Sequence, residues 1–406
     1  MNIKAVGATL LISGTMLGAG MLALPLISAG MGVKYSILFL STVWFCMTYS
    51  GLMLLEVCLN YQEGTGLEAI AEDLFGKRGK VFINVTLLLL LYSLSCAYIS
   101  GGSSIYQSNI TNYLHISIPS EIVACIFTAL IGTIVYISTK AVDIVNRVLF
   151  SINIIIFLLL VCTINPYVNK EFITNQRDSV VYSFAAIPVF ITAFGFHGSI
   201  PSMIKYIGKD NPTTLRNIFI AGGLIPLAVY IVWEVSTLGS LPRFGPHSFE
   251  YISSHGSSVA VMLEEMRVYI HNDYILYLIS AFSSIAMFTS YLCVSLGLFD
   301  SVASNLKKGN SHKRRFITAL ITYLPPLAFT IIYPDGFVKA LGAAAIFLTI
   351  LAVLFPVLAL NKIRGANYQR QYNVMTNKLA LFLVGCVGVE VIVSQILTLN
   401  DALPVF

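Results

Sequence analysis

Ser13-Gly14-Thr15-Met16-Leu17-Gly18-Ala19-Gly20 lies inside an apolar segment, residues 5–32, long enough to cross a bilayer. A second stretch, Phe194-Gly195-Phe196-His197-Gly198-Ser199-Ile200-Pro201, lies inside the apolar segment 180–206. Glycine costs about 1 kcal/mol in a helix interior and proline about 3 kcal/mol. Hydrocarbon offers no water to freed backbone groups, so a helix is interrupted there only where protein buries the break or a polar cavity meets it. Two interruptions in corresponding segments therefore point to a ligand held by main-chain groups.

The rest of the chain sets these stretches in a membrane. Of 406 residues, 57% are hydrophobic and only 11% charged, against about 25% charged in soluble domains. The mean hydropathy is +0.82. The net charge of +5 comes from basic residues grouped in loops, so it reports topology and implies no nucleic-acid partner. Cys46, Cys58, Cys96, Cys125, Cys162, Cys293 and Cys386 all fall in apolar segments and form no CxxC pair. They read as small buried hydrophobes, neither disulfides nor metal ligands. No cofactor is expected. Met1-Asn2-Ile3-Lys4 runs straight into the first apolar segment, so no removed signal peptide is expected.

A span needs about 20 mostly apolar residues. Eleven segments qualify: 5–32, 35–60, 82–110, 120–138, 146–164, 180–206, 216–238, 274–303, 315–333, 337–359 and 378–399. The long segments 82–110 and 274–303 imply tilt or extension beyond the bilayer. With the N-terminus inside, 18 Lys and Arg residues fall on inner segments and 6 on outer ones. The outer six are Lys34, Lys170, Arg177, Arg243, Arg267 and Lys339. This asymmetry predicts an inside N-terminus, an outside C-terminus and an odd span count. Residues 61–80 contain Glu63, Glu68, Glu72 and Asp73 before a basic end, which predicts an interfacial helix over 67–75. In the outer loop 240–273, Val259, Met262, Leu263, Met266 and Ile270 recur at helical spacing. They predict a helix over 257–270, either a gate above an outer vestibule or a plain surface helix.

Spans one and six are five apart, so the two interruptions enter the membrane from opposite sides. That is the arrangement of an inverted repeat: 1–164 as a first five-helix unit, 180–359 as a second, and 378–399 as an added span. Gly14 and Gly18 also form a GxxxG pair, which favours helix packing. Unwinding is the other reading, and it would offer the Ala19 and Gly20 N–H groups to a carboxylate at the positive end of a half-helix. Pro25 adds a further kink.

His197 reads either as an interhelical hydrogen-bonder or as a substrate contact or proton carrier. Phe194 and Phe196 read as core or as an apolar wall. Span three is dense in small polar residues from Ser93 to Ser104, either for tight packing or facing a cavity, with Tyr98 as the candidate contact. Thr289 and Ser290 in span eight read as ligands for sodium or water, or as hydroxyls bonded back to their own helix. Glu56 and Asp300, near inner span ends, reach water or a basic loop. Glu234 beside Trp233 reads as interfacial. Glu390, mid-way along span eleven, reads as an interhelical hydrogen-bonder or a contact within an oligomer.

Gly14-Thr15-Met16-Leu17-Gly18-Ala19-Gly20-Met21-Leu22-Ala23-Leu24-Pro25 resembles the first span of the hydroxy and aromatic amino acid permeases. Phe194-Gly195-Phe196-His197-Gly198-Ser199-Ile200-Pro201-Ser202 resembles their sixth. Thr289-Ser290-Tyr291 with Leu296-Gly297-Leu298-Phe299-Asp300 resembles their eighth. The Gly-Phe-His-Gly core is similar to the tyrosine- and tryptophan-specific branch. The resemblance implies the amino acid–polyamine–organocation superfamily and its leucine-transporter-like fold: all-α, eleven transmembrane helices, a five-plus-five inverted repeat with helices 1 and 6 broken. It implies proton-coupled uptake of an aromatic amino acid across a bacterial inner membrane by alternating access. The substrate is expected at Gly14, Thr15, Gly18, Ala19, Gly20, Tyr98, Phe194, Phe196, His197, Gly198 and Ser199. His197, Thr289 and Ser290 are the coupling-ion candidates. Some related proton-coupled carriers hold a lysine in span five. Span five here, 147–162, has none, which keeps sodium open. A serine or threonine carrier of the same fold is the rival reading; a channel lacks a readable filter, and an enzyme lacks a cluster of reactive groups.

Overall fold

The computed structural model describes residues 3–174, 179–306, 312–365, 372–374, 376–400 and 402–404. Arg177, Lys307, Lys308 and Arg370, which entered the charge asymmetry, lie outside the described residues, as do Met1 and Asn2.

The described residues are helical, with no strand among them. In chain order the helices are α1 (Ile3–Met16), α2 (Gly20–Ser28), α3 (Gly32–Leu59), α4 (Leu67–Leu114), α5 (Ser120–Ile137), α6 (Thr139–Ile164), α7 (Lys170–Thr174), α8 (Ser183–Ala193) and α9 (Ile200–Ile207). There follow α10 (Pro212–Leu238), α11 (Phe249–Ser254), α12 (Val259–Ile270), α13 (Asp273–Asn305), α14 (His312–Ile332), α15 (Phe337–Thr349), α16 (Phe355–Gly365) and α17 (Lys378–Leu399). Among the described residues, ten helical segments are long and apolar enough to cross a membrane. An eleventh arises if α1 and α2, bent by 53° at their junction, count as one span.

Sequence chemistry sets the ends. Gly76 adopts φ 73°, ψ −171° inside α4, a conformation that disfavours a side chain. It separates a short helix over 67–75 from the membrane helix that follows, where the acidic stretch predicts an interfacial helix. Asn272 and Asn377 accept N–H groups of the first turns of α13 and α17, satisfying donors that no residue further back can reach. α13 has 33 residues, about 50 Å at 1.5 Å per residue, and so outruns the ~30 Å hydrocarbon core. A π-helical turn, Ile350–Leu354, joins α15 to α16.

α4 packs against α13 and α15, α13 against α6, and α10 against α1 and α3. α2 lies on α8, and α17 packs against α15 and α8. Ile126, Leu158, Phe316 and Phe382 are exposed on the outer helices α5, α6, α14 and α17. A shell of large exposed apolar side chains on every peripheral helix fits lipid as the solvent.

Two expectations are corrected here. Only Cys58 of the seven cysteines is buried; Cys125, Cys162, Cys293 and Cys386 are exposed. Apolar sequence does not tell a core-facing from a lipid-facing position when both surroundings are apolar. Glu234 and Trp233, read as an interfacial pair, are fully buried in the protein, where Ser28 of α2 meets the carboxyl.

Candidate functional site at two helix interruptions

The interruptions meet in the interior. A Cβ on Gly20 would lie 3.9 Å from the Ala193 Cα. Between α1 and α2, the Leu17 N–H reaches Ser13 O, and the Met21 and Leu22 N–H groups reach Gly18 O and Ala19 O. The Ala19 N–H donates to Ser290 Oγ of α13 at 2.8 Å. The Gly18 and Gly20 N–H groups take no hydrogen bond among the described residues. They open α2, where the helix dipole is positive. Gly18 is required by close approach: a Cβ there would fall 2.6 Å from Ser290 Oγ.

Around this point, a Cβ on Gly14 would meet the Phe150 ring of α6 at 3.4 Å. The Ser13 hydroxyl lies within hydrogen-bonding distance of Thr9 O and of Gly222 O in α10. Thr15 bonds back to Ile12 O at 2.7 Å and is exposed beside the buried Met16.

At the second interruption α8 stops at Ala193, a 3-10 turn covers His197–Ser199, and α9 resumes at Ile200. Phe194 meets the Tyr230 ring edge-on at 5.2 Å. Phe196 stacks on Phe219 of α10 at 5.7 Å. It also lies so near α3 that a Cβ on Gly51 would sit 2.5 Å from its ring. His197 Nε2 is 3.0 Å from Ser50 Oγ. The Ser50 hydroxyl also lies 3.1 Å from Met47 O, and the direction of the Ser50–His197 bond follows the imidazole tautomer. Nδ1 is buried without a partner among the described residues. Phe196 and His197 thus pack toward α3 and α10. Gly198 is exposed, with nothing within 4 Å of the place a Cβ would take, and Ser199 is half-buried.

Tyr230 of α10 joins the two interruptions. Its hydroxyl lies 2.6 Å from Met16 O and 2.9 Å from Ala193 O. These are the last residues of α1 and α8, whose carbonyls have no intrahelical donor. One hydroxyl hydrogen is shared between the two helix ends. Tyr98, nearly buried on α4, lies within electrostatic reach of Tyr230. No local pattern marks Tyr230 in the sequence; it is one of 21 tyrosines.

Of the span-eight hydroxyls, Ser290 reaches the first interruption, whereas Thr289 bonds back to Ile285 O and Ala286 O. On α4, Gly101 and Gly102 are pressed against Phe337, Met287 and Phe127, so tight packing accounts for them.

The four carboxylates separate. Glu56 is buried, bound by Arg364 at 2.9 and 2.7 Å and by the Val374 N–H at 2.7 Å. Asp300 is exposed. Glu390, half-buried, accepts Ser394 Oγ of its own helix at 3.1 Å. Glu234 accepts Ser28 Oγ at 2.6 Å.

On the face opposite Glu56, α12 buries Val259, Met262, Met266 and Ile270 against α4, α13 and α2. It is tied down by Asn112 to Glu264 at 3.0 Å and by Ser104 with Ser258 at 3.0 Å. α11 beside it was not anticipated from sequence. No group of three or more potential metal ligands occurs among the described residues.

The helices and their apolar shell define a multi-pass membrane protein. The model of the tryptophan/tyrosine permease family matches residues 1–395. The chain is 34% identical over 402 residues to a tryptophan-specific transport protein of Pseudomonas aeruginosa, covering 98% of this chain and 95% of that one. It is 35% identical over 387 residues to tyrosine-specific transport system 1 of Haemophilus influenzae, covering 95% of each. It is 31% identical over 409 residues to the low affinity tryptophan permease of Escherichia coli K12, covering 99% of this chain and 98% of that one. The chain belongs to the tryptophan/tyrosine permease family, whose members are transport proteins and not enzymes.

Proposed function

We propose that this chain is an aromatic amino acid permease of a bacterial inner membrane, taking up tryptophan or tyrosine by proton-coupled symport with alternating access. The observation that carries the reading is the meeting of two helix interruptions at Tyr230, in a chain whose relatives are named for tryptophan or tyrosine. We read 1–164 and 180–359 as inverted five-helix repeats, with α1–α2 and α8–α9 as their broken first helices. The charge asymmetry supports a cytoplasmic N-terminus, which puts Glu56 and Arg364 on the inner face and α12 on the outer.

In this reading the substrate carboxylate meets the open Gly18 and Gly20 N–H groups beside Ala19, whose N–H Ser290 holds. Its ammonium meets carbonyls around Gly14 and Phe194. Thr15, Gly198 and Ser199 line its approach, being accessible among buried neighbours. Phe194, Phe196, His197 and Tyr98 shape the space for the ring. His197, linked to Ser50, acts by holding Phe196 and α9 against α3. Accumulation draws on the proton gradient.

The test is uptake of labelled tryptophan and tyrosine into proteoliposomes. It is run as counterflow and under an imposed pH gradient, each with and without sodium, with phenylalanine and serine as competitors. Tryptophan or tyrosine counterflow, stimulated by an acidic outside and indifferent to sodium, is expected. Serine uptake with no aromatic competition would overturn the substrate class, and a strict sodium requirement would overturn the coupling.

A further inference from the structure

Glu234 is 0% exposed, and so is Ser28, which donates to it at 2.6 Å. Oε2 accepts that bond, while Oε1 is buried with no partner among the described residues. Ser36 of α3 also faces the carboxyl, but its own hydroxyl hydrogen goes to Gly32 O at 2.8 Å. No ion pair among the described residues reaches the carboxyl. From α2 and α3 it is faced by serines, and α6 presents Phe157 to the neighbouring Trp233. The neighbouring segments carry Lys170 and Glu171, both exposed on α7, which also packs on α10, and Arg243, buried in the loop after α10. Its own helix presents Tyr230 one turn away. An ionised carboxylate in such a place would be buried with no cation paired to it among the described residues, which desolvation disfavours. A neutral acid fits instead: Oε2 accepts from Ser28, and a protonated carboxyl needs no cation beside it.

Position gives this buried acid a use. Tyr230 and Glu234 are four residues apart on α10, hence on one face. Tyr230 holds the ends of α1 and α8, and Glu234 holds Ser28, the last residue of α2. One helix therefore connects both interruptions to the carboxyl, and α2 runs from one to the other.

We propose that Glu234 carries the coupling proton and that the Ser28 contact gates it. This rests on the symport reading above. When α2 withdraws from α10, water reaches Glu234, and its carboxylate takes a proton from the outer side. When α2 returns, the neutral acid is sealed with the loaded substrate site. The O–H bond breaks again on exchange with the inner side, so one proton moves per cycle and no other reactant is needed.

The test compares wild type, Glu234→Gln and Ser28→Ala in proteoliposomes with labelled tryptophan and tyrosine. Glu234→Gln keeps the shape of the neutral acid but has no proton to exchange. It is expected to retain counterflow and to lose stimulation by an acidic outside. Ser28→Ala keeps the acid and removes its donor, so the pH of half-maximal uptake is expected to move. Wild-type stimulation in Glu234→Gln overturns the proposal. If Glu234→Gln fails to fold, an unmoved pH profile in Ser28→Ala overturns it. The wild type separates the two levels: no counterflow there sinks the substrate reading, and counterflow without gradient stimulation sinks proton coupling itself.

Discussion

Ser290 Oγ accepts the Ala19 N–H at 2.8 Å, across 271 residues of sequence. The contact ties α13 to the turn between α1 and α2, and it leaves no room for a side chain at Gly18. Gly18→Ala is therefore expected to abolish transport, while Gly7→Ala, with nothing within 4 Å of its Cβ, leaves it intact. Ser290→Ala removes the clashing oxygen, and Ser290 Cβ is 3.8 Å away. The double variant should recover part of the activity, a non-additivity expected of residues in contact. Initial counterflow rates of the four variants check this.

Tyr230→Phe keeps the ring against Phe194 and removes only the hydroxyl. Two buried carbonyls then lose their donor, a loss of about 1–3 kcal/mol. A lower melting temperature in detergent and a turnover reduced about tenfold are expected, in line with ~1.4 kcal/mol per decade. Wild-type turnover would show that the two helix ends do not need the clasp.

Gly51→Ala places a methyl against the Phe196 ring. Because Phe196 also stacks on Phe219, the ring cannot turn aside toward α10 freely. A change in the ratio of tryptophan to tyrosine uptake is expected, read by competition. Gly198→Ala is the companion: open space around it predicts an unchanged melting temperature with a raised KM for tryptophan.

Glu56→Ala leaves Arg364 and the Val374 N–H without their buried acceptor. Breaking one side of a buried pair costs about 3–5 kcal/mol. Poor thermal stability is expected, and a hydrophobic pair at 56 and 364 should restore much of it. Thermal unfolding of the purified variants decides.

Much of the fold was legible because span length and charge are coarse signals that a membrane makes strict. Residues 378–399 match α17, and 120–138 differs from α5 by one residue. The helix at 67–75 was legible from its acidic residues and ends where Gly76 turns the chain. The core-facing side of each span was not legible. In a membrane both sides are apolar, so the 3.6-residue contrast that marks a soluble helix is lost. Hence four cysteines on exposed faces were read as buried, and Glu234 was read as interfacial. Tyr230 stayed hidden for the same reason: its partners are main-chain carbonyls 214 and 37 residues away, and carbonyls leave no mark in a sequence.

Glu56 and Arg364 are 308 residues apart. At about 5–20 residues per second, the ribosome reaches Arg364 about 15–60 s after it has added Glu56. Throughout that time the carboxylate has no cation to receive it and must stay in water at the membrane edge. Spans two and ten therefore close on each other late, after nearly the whole chain is made. A chain cut short before Arg364 keeps an acid without the guanidinium that pairs it in the finished fold.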